Sequence, residues 1–348
     1  MKRVFILLTL ILITNSSCVE KSKNSNQNEL VFMTYNVENL FDEIEQKNQD
    51  VSFLPLEYKK KNGIFKKCNK IRSRYYRKNC LTSDWNKQKV EAKLNNLADI
   101  IARANDDKGP DILLLQEVEN LLILKRLKEK LLAKNISYNI AHIDSPDKRG
   151  IDTAILSKYK IERTELLINE SLGVITRGIL EVKIKVSKDQ YLIAYSVHFP
   201  SQGKRTPKRI ASLEFLFKHM QQRLLDNPQA VLVAAGDVNI IKHEEKEGIY
   251  NNVRRFAISH KVATNKYVGT YYYHPKKSWS YFDVFIFPKI YLSNNSKIQA
   301  MTNSITPFNI TSWQNEKTKD GELTPRKYVS RKNGASDHWP LLMKINLK

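Results

Sequence analysis

Two stretches of the chain, DILLLQEV (111–118) and AVLVAAGDVN (230–239), are nearly unbroken apolar runs, each preceded by a segment with helical spacing. Runs this short read as buried strands, and a strand buried on both faces needs a layer on each side. Ahead of the first run, Val90, Leu94, Leu97, Ala98 and Ile101 share one face of a helix predicted over 87–105, which Gly109-Pro110 stops. Behind it, Leu121, Leu124, Leu127 and Leu131 predict a second amphipathic helix. A third is predicted over 206–227, with Pro207 in its first turn. Further strands are predicted at 29–41, 136–142, 151–156, 178–186, 191–197, 267–273, 281–287 and 341–346. Helices between apolar strands give a layered α/β protein, and neighbouring strands without helices add antiparallel pairing. No repeat or change of composition divides the chain, so one domain is expected over 29–348.

With 41% hydrophobic and 9% aromatic residues the chain can bury a substantial core, which excludes a disordered protein. Lys and Arg number 58 against 36 Asp and Glu, a net charge of +22. That balance fits either a Lys-rich solvated surface or a polyanionic partner such as nucleic acid or anionic lipid. Between Lys59 and Lys89 there are 12 basic residues, with Glu57 and Asp84 at the margins and no clean periodicity, so a basic surface excursion is expected near 50–86.

The first residues read as an address. Lys2 and Arg3 precede the apolar stretch Val4 to Ile13, which is too short to span a bilayer and suits an export signal over 1–17. Small residues leading into Cys18 resemble the lipobox of bacterial lipoproteins, with Asn15 where the usual Leu stands. The expectation is therefore an exported monomer, either periplasmic, held at the outer membrane by lipid on Cys18 through a polar tether (18–28), or secreted. In an oxidising compartment Cys68 and Cys80 can close a short loop by a disulfide; the alternative is an unpaired set. No CxxC or Cys/His zinc spacing is present.

Polar residues recur at the ends of the apolar strands: Asn36, Glu117, His198, Asp237 with Asn239, Asp283, and the pair Asp337-His338. Ligands of open α/β sheets bind outside strand ends. Each residue also has a plainer reading. Glu117 can cap the helix near Asn120, and Asp237 with Asn239 can form an Asx turn. His198 and Asp283 can be structural. Glu117 is a hard oxygen ligand for Mg²⁺ or Mn²⁺, and Asp237 and Asn239, two apart on extended backbone, would share a face. Asn36 and Glu38 would share one too, and Asn36 is the preferred site residue. Asp337 and His338 can serve one cleft only if the backbone bends there, with Gly334 loosening the approach and Pro340 keeping Trp339 extended.

TYNVENLFD, LLLQEVE, RGIDTAIL, VHFPS, GDVN and SDHWP, in that order over 29–348, resemble the endonuclease/exonuclease/phosphatase (DNase I-like) superfamily, in a bacterial exported branch. The resemblance implies a four-layer α/β sandwich, two face-to-face mixed β-sheets flanked by helices. It also implies a Mg²⁺- or Mn²⁺-dependent phosphoric ester hydrolase. Carried onto this chain, it makes Glu117 the main metal carboxylate, with Asn36 beside it and Asp337 near the metal or nucleophile. His198 would hold or protonate a phosphate oxygen, and Asp237 with Asn239 would position the attacking water. His338 would be a second catalytic histidine oriented by Asp283. Arg149 or Asp152 would contact phosphate, and Arg326 is a further candidate, with a solvated arginine as its alternative. The expected substrate is nucleic acid, cut as by an endonuclease. The alternative is a phosphatase or a sphingomyelinase/phospholipase C-like hydrolase, for which YVGTYYYHPKKSWSYF (267–282) would be a membrane-seeking aromatic hairpin rather than a half-buried strand.

Overall fold

A computed structural model describes residues 29–46, 49–170, 177–251, 253, 255–328 and 334–348; the expected signal, tether and Cys18 lie outside the described residues. Strand β1 (Glu29–Leu40) leads through α1 (Leu56–Lys61), α2 (Phe65–Asn69) and α3 (Arg74–Thr82) into α4 (Lys87–Asp107). Then come β2 (Ile112–Val118), α5 (Leu121–Leu132), β3 (Asn139–His142), β4 (Asp152–Ser157), β5 (Lys160–Leu167), β6 (Ile179–Lys185) and β7 (Tyr191–His198). Helix α6 (Thr206–Asp226) precedes β8 (Val231–Asp237), α7 (Lys242–Lys246), β9 (Phe256–Ile258) and α8 (Ser259–Val262). The chain closes with β10 (Tyr271–Tyr273), β11 (Ser278–Ser280), β12 (Asp283–Pro288), β13 (Ile298–Pro307), β14 (Asn315–Lys317), β15 (Leu323–Pro325) and β16 (Leu341–Leu347).

These strands build two six-stranded sheets, ordered β13-β16-β1-β2-β4-β3 and β5-β6-β7-β8-β12-β9. Each holds one parallel pair, β1 with β2 and β7 with β8, bridged by the long helices α4 and α6; the remaining pairings are antiparallel. Alternation along the strands divides the core. Phe32, Leu114 and Ile155 of the first sheet meet Val182, Val233 and Phe285 of the second between the sheets. Tyr35, Leu113 and Leu115 face α4 and α5, while Leu232 and Ala234 face α6. The result is the expected four-layer sandwich, and the two apolar runs are continuous because both of their faces are buried.

Several expectations need correction. Leu121 is exposed; α5 buries Ile123, Leu124, Leu127 and Leu131 instead. Helix α4 leaves helical geometry before Gly109, at Ala104 (ψ 153°), and Asn105 and Asp106 follow with φ 56° and 54°. The basic excursion, which shows no clean periodicity in sequence, is helical. Three short helices pack Leu54, Ile64 and the Cys68–Cys80 disulfide into a small core of their own. Its charge is also not all surface: Lys59 is fully buried and donates to the carbonyls of Cys80 (2.9 Å) and Ser83 (2.6 Å). The aromatic segment forms the β10–β11 hairpin, but Tyr272 and Trp279 turn inward onto Trp339, which supports the half-buried strand over a membrane blade.

Candidate active site

The ends of β1, β2, β7, β8 and β12 converge. Antiparallel β12 sets Asp283 opposite Asp237, and parallel β7 sets His198 opposite the same residue. Gly236 allows this approach, because a Cβ there would lie 2.0 Å from the Val197 carbonyl oxygen. At the tips the backbone departs from strand geometry. Glu38, Asn39, Glu117 and Asn239 have φ of 50°, 55°, 64° and 53°. Left-handed non-glycine residues cost of order 1 kcal/mol or more each and persist where surrounding bonds hold them. Here the Asn39 N–H donates to Glu117 Oε2 (2.9 Å) and the Asn239 N–H donates to Asp237 Oδ1 (2.8 Å). Asp237 and Asn239 thus meet through an Asx turn on non-extended backbone, the turn reading rather than the shared strand face. Glu38 likewise does not share Asn36's setting: its carboxylate accepts the Tyr328 N–H (2.8 Å).

Asp237 Oδ2 is the centre of the cluster. It accepts from Asn36 Nδ2 (3.0 Å), with His198 Nε2 at 3.7 Å and His338 Nε2 at 3.9 Å. Asn36 Nδ2 also reaches Glu117 Oε1 (3.3 Å), which His198 Nε2 approaches at 3.9 Å. Asn120, not Glu117, caps α5, leaving the Glu117 carboxylate to the cleft. His338 Nδ1 lies 2.7 Å from Asp283 Oδ2, and Asn239 Nδ2 donates to the Phe199 carbonyl (3.2 Å).

The two histidines are driven apart electrostatically. Burial alone would lower His338, but Asp283 at its Nδ1, with Asp237 and Asp337, raises it to about 10 and keeps it an imidazolium at neutral pH. Burial, then Arg177 and His338, push His198 well below the ordinary histidine value, so it is neutral. Burial and the carboxylates of Asp283 and Glu117 outweigh His338 and raise Asp237 to about 7. No Lys or Arg forms an ion pair with Glu117 or Asp237 among the described residues. Two carboxylates without a Lys or Arg partner are hard-oxygen donors that fit a divalent cation, and Asn36 Nδ2 donates to both of them. Asp337, the third expected ligand, is instead paired with Lys327 Nζ (3.1 Å).

The backbone bend before β16 has a specific cause. Ser336 Oγ donates to the Asn36 carbonyl (2.7 Å) and accepts the His338 N–H (3.1 Å), tying the turn to β1. Gly334 is needed for packing rather than looseness: a Cβ there would sit 2.2 Å from the carbonyl oxygens of Arg326 and Lys327.

The expected phosphate contacts are scattered. Arg149 is half-exposed and paired with Asp50 (3.3 Å), and the Arg326 Nε is buried without a partner. Asp152 is already engaged by His142 (3.0 Å) and the Ser145 N–H (3.1 Å). With Asp144, these form a second cation-competent cluster, His142, Asp144 and Asp152, whose ligand atoms all lie within 4.8 Å. Its nitrogen donor suits Mn²⁺ better than Mg²⁺. Sequence reasoning also missed Arg177, whose guanidinium donates to the Phe199 carbonyl (3.4 Å) and whose Nε lies 3.7 Å from Asp147 Oδ2. Its only signal was an arginine two residues ahead of the apolar run that opens β6.

The sequence profile of the Endonuclease/Exonuclease/phosphatase family matches residues 75–347. Among solved structures, a D. rerio TDP2 humanized by 14 mutations superposes with TM-score 0.55 at 15% identity, over 91% of this chain and 99% of that one. D. rerio TDP2 complexed with a single strand DNA product gives 0.53 at 15% identity, over 91% and 99%. An endonuclease/exonuclease/phosphatase from Bacteroides vulgatus gives 0.54 at 14% identity, over 92% and 99%. At these identities the likeness is one of fold. No curated protein matches the chain.

Proposed function

The chain belongs to the endonuclease/exonuclease/phosphatase family, and from that premise we propose that it is a divalent-metal-dependent phosphodiesterase that acts on nucleic acid as an endonuclease. The observation that carries this reading is the convergence of Asn36, His198 and His338 on Asp237 Oδ2, with Asn36 and His198 also reaching Glu117 Oε1 and, among the described residues, no Lys or Arg paired to either carboxylate.

The chain's own groups divide the work. Glu117, with Asn36 beside it orienting its carboxylate through Nδ2, would hold Mg²⁺ or Mn²⁺, which when bound neutralises the phosphodiester and stabilises charge on the leaving oxygen. Asp237, near 7, is matched to accept a proton from the attacking water. The Asn239 N–H fixes one of its oxygens, so the other faces the cleft. His338, held as a cation by Asp283, donates from Nε2 to a phosphate oxygen. Neutral His198 offers Nε2 beside it, and Arg177 supplies fixed positive charge at that wall. This follows the general rule that paired titratable groups pushed apart in pKa take separate acid and base roles. Asp337 would act through Lys327 and His338, at 3.1 and 4.0 Å.

The nucleic-acid choice is supported by the net charge of +22 and by the relative crystallised with a DNA product. The inward packing of the β10–β11 aromatics weighs against the membrane-directed alternative. An exported location is supported by the 1–17 segment and by the Cys68–Cys80 disulfide. The test is incubation of the purified protein with plasmid DNA and with RNA, in Mg²⁺, Mn²⁺ or EDTA. Nicking that EDTA abolishes is expected. Inertness toward both polymers with turnover of a small phosphomonoester would refute the nuclease reading.

A further inference from the structure

The insert between β1 and α4 does nothing in the chemistry above, yet it is built as a surface. Helix α3 carries adjacent tyrosines, Tyr75 and Tyr76, exposed by 69% and 63%. Their rings meet edge to face, 5.4 Å apart and inclined by 76°. A single exposed aromatic needs no explanation, whereas two side by side in a charged field do. Around them Arg72, Arg74 and Lys78 are exposed and form no ion pair among the described residues, and Lys60, Lys61 and Lys66 on α1 and α2 are likewise exposed. Acidic charge on the insert is small beside these cations: Glu57 is exposed on α1, and Glu45 is occupied by Lys67 (3.3 Å) and the Tyr58 hydroxyl (2.7 Å).

The insert is rigid and rooted at the cleft end of the first sheet. The Cys68–Cys80 bond and the buried Lys59 ammonium hold its helices together. The Asp50 N–H donates to the Arg149 carbonyl (3.1 Å). Trp85 donates to the Phe41 carbonyl (3.0 Å) and packs edge-on against Tyr328, whose N–H binds Glu38.

We propose that Tyr75 and Tyr76, with Arg72, Arg74 and Lys78, form a docking site for single-stranded nucleic acid beside the cleft. Aromatic faces stack unpaired bases, and guanidinium and ammonium groups track the phosphates. A duplex hides its base faces and gains nothing from the tyrosines. A bilayer is the poorer partner, because the exposed large hydrophobic residues of 51–86 are tyrosines alone, with no aliphatic side chain to insert. The site's role as a substrate-holding surface rests on the nuclease reading; its binding is measured without it.

The experiment is fluorescence anisotropy of a labelled oligodeoxynucleotide with the full chain in EDTA, so that cleavage cannot interfere. Single-stranded and duplex probes and phosphatidylglycerol vesicles are compared for wild type, Y75A/Y76A and R72E/R74E/K78E. Thermal melting confirms that each variant folds. Wild type should prefer the single strand, and Y75A/Y76A should weaken that probe by about 10- to 100-fold with little effect on duplex. R72E/R74E/K78E should flatten the log affinity against log salt slope by about 2. Single-strand affinity insensitive to both variants overturns the proposal, as does binding to vesicles in place of oligonucleotide. Plasmid hydrolysis by wild type is read separately, so a failure of the nuclease reading shows there and leaves the binding result standing.

Discussion

Arg209→Met should cost the protein about 4 kcal/mol, and the structure shows why. Arg209, on α6, is 1% exposed and faces Glu244, at 3%. Its Nε donates to Glu244 Oε1 (3.1 Å), and its Nη1 donates to the carbonyls of Pro200 (3.2 Å), Ser201 (3.0 Å) and Lys204 (3.1 Å). Gln202 adds a bond to Glu244 Oε2 (3.0 Å) and one to the Asn239 carbonyl. One guanidinium therefore clamps the loop after His198 to α7, the helix that follows Asn239. Methionine leaves a buried carboxylate unpaired, which alone costs about 3–5 kcal/mol, and leaves three carbonyls short of a donor. Burial would raise Glu244, but Arg209, Thr206 and Gln202 hold it below the ordinary glutamate value. A depressed carboxylate contributes its stability above the unfolded value and loses it as pH falls through the folded one. The Arg209→Met deficit should thus be full at neutral pH and shrink on acidification. Urea melts at neutral and acidic pH read the size and sign, and kcat on plasmid DNA should fall by about 10-fold or more as the loops loosen. R209M/E244L should regain most of the stability. A loss under about 1 kcal/mol, or a deficit that grows in acid, would refute the reasoning.

Asp283→Asn should lower kcat by about 10²-fold or more with little change in KM, since the Asp283 carboxylate 2.7 Å from His338 Nδ1 orients and charges that ring; steady-state kinetics on a labelled oligonucleotide check it. Ser336→Ala should cost about 1–2 kcal/mol in urea melts, by removing the hydroxyl that joins Asn36 and His338. C68S/C80S should destabilise the insert by about 3 kcal/mol, from a cross-link spanning 12 residues. Limited proteolysis should then cut within 59–78 while the sandwich stays intact, and cuts elsewhere at equal rate would contradict a separately packed insert.

The layers were legible because the two apolar strands and their flanking helices carry their burial in their periodicity. Six of the strand-end residues were legible as polar groups after apolar runs: sheet register sets His198, Asp237 and Asp283 side by side, while Asn36, Glu117 and His338 join them at or beyond the ends of their strands. What escaped the sequence depends on contacts between distant segments. Ser336 joins residues 300 apart, Arg177 precedes a strand without any pattern, and Arg209 is an arginine on a helix that happens to be buried. The excursion showed no clean period because helices of five to nine residues are too short for one, and its core is a small cluster of Leu54, Ile64 and the disulfide. Asp237 and Asn239 were placed together for the wrong reason, since the left-handed φ of Asn239 is invisible in GDVN.

The most direct measurement is hydrolysis of plasmid DNA by wild type and Glu117→Gln, both shown folded by circular dichroism, in Mg²⁺ or Mn²⁺ and in EDTA. Glutamine keeps the shape of the side chain at the end of β2 and removes a charge that no Lys or Arg pairs with among the described residues. Turnover that needs the cation and falls by about 10²-fold or more in Glu117→Gln is the predicted result. Turnover that persists in EDTA, or that Glu117→Gln leaves intact, would contradict the assignment of a metal-dependent phosphodiesterase centre to these strand ends.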